Sequence, residues 1–386
     1  MKSPDISLAV VNYNSVSMLD GLLESALADS FVVGGRAGRL ELLVVDNASR
    51  HEDHRELARV CTHHGARLLR NTENVGYAIG NNQALQAARG RWHLVTNPDV
   101  LIRPGCLQHL LDALESMPNA ALVGPLASMD LAGEVLLPPN ELPETFSETL
   151  VNVARSSDGV ARFHVRRRAC YAQRYWTARE PMRLPMLSGG FFMGRRETLL
   201  RHGLFDAGYP LYFEDTDLFR RYHQRDLALW HVPAARIVHH FSRSALPRMK
   251  AAMFRNAMGA RRYFGAHFGP AGARLWSRLL ERSAEHAQDQ RCPYALNVLE
   301  PSAVAPLITL PPGAYVEVSG NAKFSLTVGL FPQSSVVVGA GEQPGTYRIP
   351  QPFWDSLACT HYWLRTVDPA TGDTIHAWRA TRCPTT

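Results

Sequence analysis

Short apolar runs alternate with amphipathic segments through the first third of the chain. The apolar runs are four to six residues long and are typical of buried strands, whereas the segments between them repeat apolar residues at helical spacing. Alternating strands and helices build a mainly parallel sheet covered by helices, so we predict an α/β fold. The predicted strands are 6–11, 42–45, 66–69, 92–95 and 121–124, and the predicted helices are about 17–28, 49–65, 77–89 and 104–117.

Three of the predicted helices carry local boundary signals. Ser49 and Glu52 have the spacing of a capping box, which would begin the second helix. Gly90 follows the third helix at the place where a helix-ending glycine is expected. Pro104 suits the first turn of the fourth helix, because the N–H that proline lacks has no partner there.

The predicted strands end in asparagine or aspartate. The pairs are Asn12 and Asn14, Asp46 and Asn47, Asn71 and Asn74, and Asn97 and Asp99. Open α/β sheets bind ligands at the carboxyl ends of their strands, so we expect a nucleotide site at this edge. Pro98 has no N–H for a sheet ladder, and the Asp99 that follows could hold a hard divalent cation and, through it, a diphosphate. A polar turn would explain one such ending, but four in succession favour a site.

Two later strand boundaries also carry candidate groups. Gly189 and Gly190 precede a predicted strand and let the backbone approach a ligand closely, although a tight bend would use them equally well. A further strand ends at His239 and His240. A neutral imidazole at this position is either a hydrogen-bonded core histidine or a metal ligand.

Three carboxylates crowd the start of the helix predicted after residue 213. They are Glu214, Asp215 and Asp217. The positive end of a helix dipole stabilises acidic residues at this position, which accounts for one of them. The remaining one or two are free to act as a general base.

Taken together, these segments resemble the inverting family-2 glycosyltransferases with a GT-A fold, most closely their rhamnosyltransferase-like branch. The matching motifs are V-V-N-Y-N (10–14), V-V-D-N-A-S (44–49), N-x-G (74–76), T-N-P-D-V (96–100), S-G-G-F-F-M (188–193), F-E-D-T-D-L (213–218) and V-H-H (238–240). The resemblance covers roughly residues 5–265, and the order of seven motifs makes it specific.

The resemblance implies a role for each motif. The residues expected to contact the nucleotide donor are Asn12, Tyr13, Asn14, Asp46, Asn74, Gly76, Asn97, Gly189 and Gly190. Asp99 would hold Mg²⁺ or Mn²⁺ on the diphosphate, with His239 preferred over its neighbour as the second ligand. Asp215 would be the general base, and Glu214 is the second choice. The family commonly has aspartate where this chain has Asn97, so metal binding is expected to depend on the bound nucleotide.

The predicted activity is metal-dependent, inverting hexosyl transfer. A base removes the proton of the acceptor hydroxyl as its oxygen attacks the anomeric carbon, and a cation stabilises the departing diphosphate. The donor would be a dTDP- or UDP-sugar, with dTDP-L-rhamnose as the candidate, and the acceptor a glycan or lipid-linked glycan in the synthesis of lipopolysaccharide or another surface polysaccharide. A sugar nucleotidyltransferase would instead show a G-x-G-T-R-like loop after the first strand, and a non-catalytic glycan- or nucleotide-binding protein would need no base.

The chain is long enough for more than one domain, and its character changes twice. We predict a GT-A domain over 1–245, a basic helical extension over 246–290 and an all-β sandwich or barrel over 291–386, where prolines separate short β-rich runs, including one at 335–338. Residues 126–187 show no clear periodicity and are expected to run irregularly over the acceptor side. Tyr362, Trp363 and Trp378 would be either core aromatics or a sugar-binding platform.

Composition adds a location and a set of partners. The net charge of +6 is concentrated in residues 155–183 and 243–282, which favours anionic partners, but no nucleic-acid motif accompanies it, so we expect no nucleic acid. The six cysteines are scattered and no apolar run reaches the length of a membrane span. We expect a cytoplasmic protein with reduced thiols. The helical extension would either pack on the first domain or lie peripherally on the inner face of the cytoplasmic membrane. The sequence leaves open whether the protein forms a homo-oligomer.

Overall fold

The computed structural model describes residues 3–117, 119–144, 147, 149, 153–154, 157–209, 211–240, 249–285, 292–322, 324, 327–331, 345–357 and 360–383, with the backbone alone for 249–253 and 280–285. These residues form two compact units. The first comprises Met1–Ala127, Asn140–Pro143 and Ala178–Ala273, and the second comprises Ser128–Pro139, Glu144–Thr177 and Arg274–Thr386.

Strands and helices follow one another along the described chain. The strands are β1 (Ile6–Asn12), β2 (Val32–Val33), β3 (Arg36–Ala37), β4 (Leu40–Asp46), β5 (Arg67–Arg70), β6 (Trp92–Thr96), β7 (Val100–Ile102), β8 (Ala120–Ser128), β9 (Val135–Leu136), β10 (Met182–Leu184), β11 (Phe191–Arg195), β12 (Ala228–His239), β13 (Asn297–Val298), β14 (Leu307–Thr309), β15 (Tyr315–Ser319), β16 (Thr327–Leu330), β17 (Thr346–Arg348), β18 (His361–Val367) and β19 (Thr374–Thr381). The helices are α1 (Val16–Ala28), α2 (His54–His63), α3 (Tyr77–Ala87), α4 (Cys106–Ser116), α5 (Asp158–Trp176), α6 (Arg196–His202), α7 (Glu214–Gln224), α8 (Met249–Glu285) and α9 (Gln351–Ser356).

The first unit is organised by a sheet with the strand order β8-β11-β6-β1-β4-β5. Strands β5, β4, β1 and β6 are parallel, whereas β11 runs antiparallel to both of its neighbours. Every residue of β1 is buried, which suits a central strand covered on both faces. The predicted α/β fold with a mainly parallel sheet is confirmed.

The register of this sheet brings the polar strand ends together. Asn12 is the register partner of Asp46, and Val10 is the partner of Thr96, so β1, β4 and β6 end at nearly the same level. A second set of pairs joins β12 antiparallel to β7 and β10, and it places His239 opposite Val100. This pairing places the two histidines at the end of β12 beside the segment that follows β6.

Two of the predicted helix boundaries were wrong for the same reason: Ser49 and Gly90 make tertiary contacts instead of marking the end of a helix. The Ser49 hydroxyl accepts hydrogen bonds from the side chain of Asn12 and the backbone of Asn14, and a 3-10 turn precedes α2. Helix α3 ends before Gly90, whose N–H donates to the Ser7 hydroxyl at 2.8 Å. A Cβ at residue 90 would lie 2.6 Å from the Ser7 nitrogen, so glycine is needed there for close packing on β1.

The irregular course expected for residues 126–187 was also wrong, since 158–176 form the regular helix α5. The buried face of α5 includes three alanines and His164, and arginines occur at most turns on the rest of the helix. An apolar stripe with so few large residues is hard to detect from the sequence.

The second unit contains a sheet with the order β13-β19-β18-β15-β16-β9, antiparallel except for the β13–β19 pair. One buried cluster contains Tyr362 and Trp378, and another joins Trp363 to Val165 of α5. These aromatic side chains are therefore core residues. The predicted strand at 335–338 lies outside the described residues.

These units divide the chain differently from the predicted ranges 1–245, 246–290 and 291–386. The C-terminal strands share a unit with α5 and β9, because α5 supplies one of their apolar partners. The expected pair of basic helices is α8, which is kinked at Gly269, where φ is 70° and Pro270 follows. None of the described helices is long and apolar enough to cross a lipid bilayer.

Candidate functional site

The loops that follow β1 and β4 are held together by buried polar side chains. The Asn12 amide donates to Asp46 Oδ1 at 3.2 Å and to the Ser49 hydroxyl at 3.0 Å. Both Asn12 and Asp46 are almost fully buried, so each braces the other. Tyr13 is 37% exposed and presents its ring at the surface of this loop. Asn14 adopts a left-handed backbone and accepts a hydrogen bond from the backbone N–H that follows Ser49, at 2.9 Å.

The third predicted contact loop is an exposed turn that leads into α3. Asn74 Oδ1 accepts the Gly76 N–H at 3.0 Å, and the φ of Gly76 is 89°, which only glycine adopts without strain. The Gly76 carbonyl in turn accepts the side-chain amide of Asn47 at 2.9 Å. This turn is thereby fixed to the loop after β4, along the same edge of the sheet.

The segment between β6 and β7 forms an acidic corner with the end of β12. His239 Nε2 lies 3.3 Å from Asp99 Oδ1, and the His240 backbone N–H donates to the Asp99 carbonyl at 3.0 Å. Asp99 and His239 are both buried. Burial raises the pKa of Asp99, but the hydrogen bond from His239 and the positive charge near it hold the pKa below its usual value.

This corner has the donor types for a divalent cation, although it is a partial site. Asp99 offers carboxylate oxygens, His239 offers a ring nitrogen, and a Cβ at residue 190 would lie 3.0 Å from the Asn97 side-chain nitrogen and 2.8 Å from His239 Cε1. Among the described residues, no group of three His, Cys, Asp or Glu side chains is placed to hold a metal. The residues present therefore fit a cation whose remaining ligands come from a bound diphosphate and water.

The second half of the site begins at a strained turn before α7. Tyr212 and Phe213 both have left-handed backbones, with φ of 68° and 67°. Each costs about 1–2 kcal/mol for a residue other than glycine. Helix α8 packs closely on this turn, because a Cβ at Gly259 would lie 2.6 Å from the Tyr212 carbonyl and Tyr263 stacks at a tilt on Phe213. The surrounding packing holds the strained conformation.

Asp217 is the carboxylate of this helix that serves the structure. Arg221 Nε donates to Asp217 Oδ2 at 2.7 Å, and His267 of α8 and Tyr209 both contact Oδ1. Burial raises the pKa of Asp217, but the hydrogen bonds from His267 and Arg221 lower it below its usual value. Asp217 is thus fully engaged, which leaves Glu214 and Asp215 for chemistry.

The environments of Glu214 and Asp215 differ. Asp215 Oδ1 accepts the Thr216 N–H at 2.7 Å and the Thr216 hydroxyl at 3.2 Å, and the Gly189 N–H also donates to this carboxylate. Glu214 is 5% exposed, and its Oε2 has no hydrogen-bond partner in the part of the chain that the structure describes. Burial raises the pKa of both groups, and the negative charge of Asp215 raises that of Glu214 further. The donors around Asp215 stabilise an anion, whereas Glu214 is the better holder of a proton.

A short turn at 188–190, which we call the 188–190 turn, separates these two halves. On one side Gly189 lies against Asp215: a Cβ there would be 2.5 Å from Asp215 Cβ. On the other side Gly190 lies against Asn97 and His239, and its carbonyl accepts the Asn97 N–H at 2.9 Å. The structure thus brings together the predicted residues Asn97, Asp99, Gly189, Gly190, Glu214, Asp215 and His239.

Sequence reasoning missed Tyr77 at this centre. Its hydroxyl donates to the Gly189 carbonyl at 3.1 Å. Burial raises the pKa of Tyr77, and the charges of Glu214, Asp215 and Asp99 raise it further, so the phenol stays protonated. An aromatic residue at the start of an amphipathic helix looks like a core residue, so no sequence signal distinguished it.

Known proteins resemble this chain in sequence and structure. An L-rhamnosyltransferase of Mycobacterium tuberculosis (strain CDC 1551 / Oshkosh) that acts on N-acetylglucosaminyl-diphospho-decaprenol is 28% identical over 225 residues, which are 53% of this chain and 68% of that protein. Succinoglycan biosynthesis protein ExoO of Rhizobium meliloti (strain 1021) is 30% identical over 135 residues, 35% of this chain and 37% of that protein. A mannosyltransferase from Pyrobaculum calidifontis, solved with GDP-mannose and Mn²⁺, superposes with a TM-score of 0.45 at 17% identity over 74% of this chain and 76% of that one.

The family description "Glycosyl transferase family 2" matches residues 7–202, about half of the chain. That match includes the strand ends, the Asp99 segment and the 188–190 turn described above. The chain belongs to glycosyl transferase family 2 and is a glycosyltransferase.

Proposed function

We propose that the protein is a metal-dependent inverting glycosyltransferase that moves a sugar from a nucleoside diphosphate to a hydroxyl of a lipid-linked glycan. The observation that carries this proposal is the arrangement around the 188–190 turn. Asp215 lies on one side of the turn, and the corner of Asp99 and His239 lies beyond its other side. A donor whose diphosphate occupies the corner would direct its anomeric carbon toward the carboxylate, as a single displacement requires.

Asp215 is the proposed general base. It takes the proton of the acceptor hydroxyl as that oxygen bonds to the anomeric carbon, the bond to the nucleoside diphosphate breaks, and the anomeric configuration inverts. Asp215 suits this role because its three donors favour the ionised form, while the buried Glu214, beside the charge of Asp215, favours the neutral form. Two neighbouring carboxyl groups with different environments can divide the acid and base states between them.

Asp99 and His239 would hold Mg²⁺ or Mn²⁺, which when bound supplies positive charge to the leaving diphosphate. Asn97 contributes no charge to this corner, so the nucleotide itself supplies most of the negative charge that attracts the cation. Asn74, Gly76, Tyr13 and the braced loops after β1 and β4 would bind the nucleoside, since they line the same sheet edge.

The donor we favour is dTDP-L-rhamnose, and the acceptor a sugar on a polyprenyl diphosphate. The support is the mycobacterial relative, whose name gives it an N-acetylglucosaminyl-diphospho-decaprenol acceptor and an L-rhamnosyl product. The product would be an intermediate of a surface polysaccharide.

A lipid-linked acceptor would bring the enzyme to a membrane, and helix α8 has a face suited to it. Phe254 is 68% and Met258 49% exposed, and Arg255 and Arg261 are exposed near them at helical spacing. Apolar side chains between arginines match an anionic lipid surface. Phe254→Ser with Met258→Ser should reduce sedimentation with phosphatidylglycerol vesicles, whereas Leu131→Ser, an exposed leucine of the second unit, should not. If the wild type, the double variant and Leu131→Ser sediment equally with the vesicles, the proposed membrane contact is refuted.

The first experiment is calorimetric binding of dTDP, UDP and GDP, each with and without Mn²⁺. We expect one nucleotide to bind, and only with the metal. Asp215→Asn should then bind the same nucleotide and transfer no sugar, while Glu214→Gln should keep most of the transfer rate. Full transfer by Asp215→Asn would refute the base assignment, and absence of nucleotide binding by the folded wild-type protein would refute the proposed function.

A further inference from the structure

We propose that Tyr77 is a positioning residue for the transfer reaction, which holds the 188–190 turn in place between the base and the diphosphate corner. This inference rests on the proposed function, because it assumes that Asp215 is the base. Tyr77 is the first residue of α3 and directly follows Gly76, so it lies where the nucleoside side of the site meets the reacting side.

The 188–190 turn is tightly packed on both of its flanks. Gly189 and Gly190 are both so close to their neighbours that a Cβ at either position would overlap side-chain atoms. The position of the turn therefore sets the positions of Asp215 on one side and of Asn97 and His239 on the other. A small rotation of this backbone would move groups of both halves of the site.

Each carbonyl of the Gly189–Gly190 pair accepts a hydrogen bond from a donor outside the turn. The Gly190 carbonyl accepts the Asn97 N–H at 2.9 Å, and the Gly189 carbonyl accepts the Tyr77 hydroxyl at 3.1 Å. The Gly189 N–H donates to Asp215. Without the Tyr77 hydroxyl, the peptide plane between Gly189 and Gly190 loses the donor on its carbonyl. Rotation at the Gly189 Cα would then misalign the adjoining peptide plane, whose N–H donates to Asp215.

Packing alone does not require a tyrosine at position 77. The Tyr77 ring contacts Phe205 at 5.7 Å between centroids, and phenylalanine would make the same contact. The hydroxyl adds the bond to Gly189 and an interaction with the Asn81 side chain, and both are removed with a single oxygen atom in Tyr77→Phe.

The test compares Tyr77→Phe with a matched control in the same unit. Tyr222 also donates its hydroxyl to a glycine carbonyl, that of Gly203 at 3.2 Å, rather than to a carbonyl of the 188–190 turn. With dTDP-L-rhamnose as donor, we expect Tyr77→Phe to lower kcat about tenfold with the donor KM changed by less than about twofold, as expected for the loss of one hydrogen bond that aligns the base. Tyr222→Phe should leave both constants near those of the wild type.

A second measurement does not depend on the donor. Hydrogen exchange followed by mass spectrometry should show faster exchange in the peptide that contains 188–190 for Tyr77→Phe, and unchanged exchange there for Tyr222→Phe. Equal exchange and equal kcat in both variants would overturn the role of Tyr77. If Asp215→Asn transfers sugar at the wild-type rate, the proposed function fails instead, and the exchange measurement alone then decides whether Tyr77 holds the turn.

Discussion

Replacing Gly189 by alanine tests the geometry of the site by adding one carbon atom. The backbone of Gly189 is outside the left-handed region, so alanine can adopt it without strain. Its Cβ would lie 2.5 Å from Asp215 Cβ and 2.7 Å from Asp215 Cγ, whereas carbon atoms in contact are about 3.5–4.0 Å apart. Asp215 or the turn must therefore shift by about 1 Å, a displacement that can reduce the rate of a positioned reaction about a hundredfold.

The assay is initial-rate sugar transfer, with urea unfolding of the same samples. We expect Gly189→Ala to lose about two orders of magnitude in kcat and to lose about 1–3 kcal/mol of folding free energy through overpacking. Gly194→Ala is the matched control: its Cβ would lie 2.6 Å from Leu122 Cδ2 and 2.8 Å from the Ala121 carbonyl, in the sheet away from the carboxylates. It should lose at least as much stability but keep kcat when assayed well below its unfolding transition.

The relative effects of the two substitutions are what refute or support the reasoning. If both variants lose the same fraction of activity, the loss follows stability, and Gly189 has no special relation to Asp215. If Gly189→Ala is as active as the wild type, the carboxylate is not where the reaction needs it, and the placement of the base beside this turn is wrong.

Three further outcomes follow from buried titratable groups. Burial lowers the pKa of His93 to about 3, so the unfolded chain binds a proton that the folded chain does not, and stability should fall below pH 6.5, by about 2 kcal/mol at pH 5. Both ring nitrogens of His93 lack hydrogen-bond partners among the described residues, so His93→Leu should remove this part of the pH dependence in urea unfolding at pH 7.5 and 5. An unchanged difference in unfolding free energy between the two pH values would contradict it. Because burial raises the pKa of Asp215, kcat should fall toward acid with a midpoint above the usual 3.8 of an aspartate, and Glu214→Gln should leave that midpoint in place; a midpoint at or below 3.8 would argue against Asp215. Asp99→Ala should abolish the Mn²⁺-dependent part of nucleotide binding in calorimetry, and unchanged binding would place the metal elsewhere.

Much of the parallel sheet and most of the candidate site residues were predictable because they depend on short-range patterns. Buried parallel strands are continuous apolar runs, and their carboxyl ends share an edge, so polar residues after each run mark one cleft. The three carboxylates near residue 215 were predicted to serve two purposes. The structure shows Asp217 held by Arg221 and His267, and the chemical role of Glu214 and Asp215 stays a prediction.

The features that were missed depend on partners far away in sequence. Ser49 has capping-box spacing, but its hydroxyl is used by the loop after β1, about 35 residues earlier. Tyr77 has the local pattern of a core aromatic, and its hydroxyl finds its acceptor 112 residues later. Helix α5 was not recognised because alanines make up much of its apolar face. For Ser49 and Tyr77 the tertiary contact, rather than local propensity, decides what the side chain does.

The second unit is built from segments that lie far apart in the sequence, and this has a consequence for the synthesis of the chain. Helix α5 ends at Trp176, and two strands that pack against it, β15 and β18, end at Ser319 and Val367. At about 5–20 residues per second, a ribosome would release α5 roughly 10–40 s before the last of those strands. During that interval Val165, Ala169 and Trp176 have no sheet to cover them. The nascent protein thus carries an exposed apolar helix for that interval, which makes this segment a place for a chaperone to act.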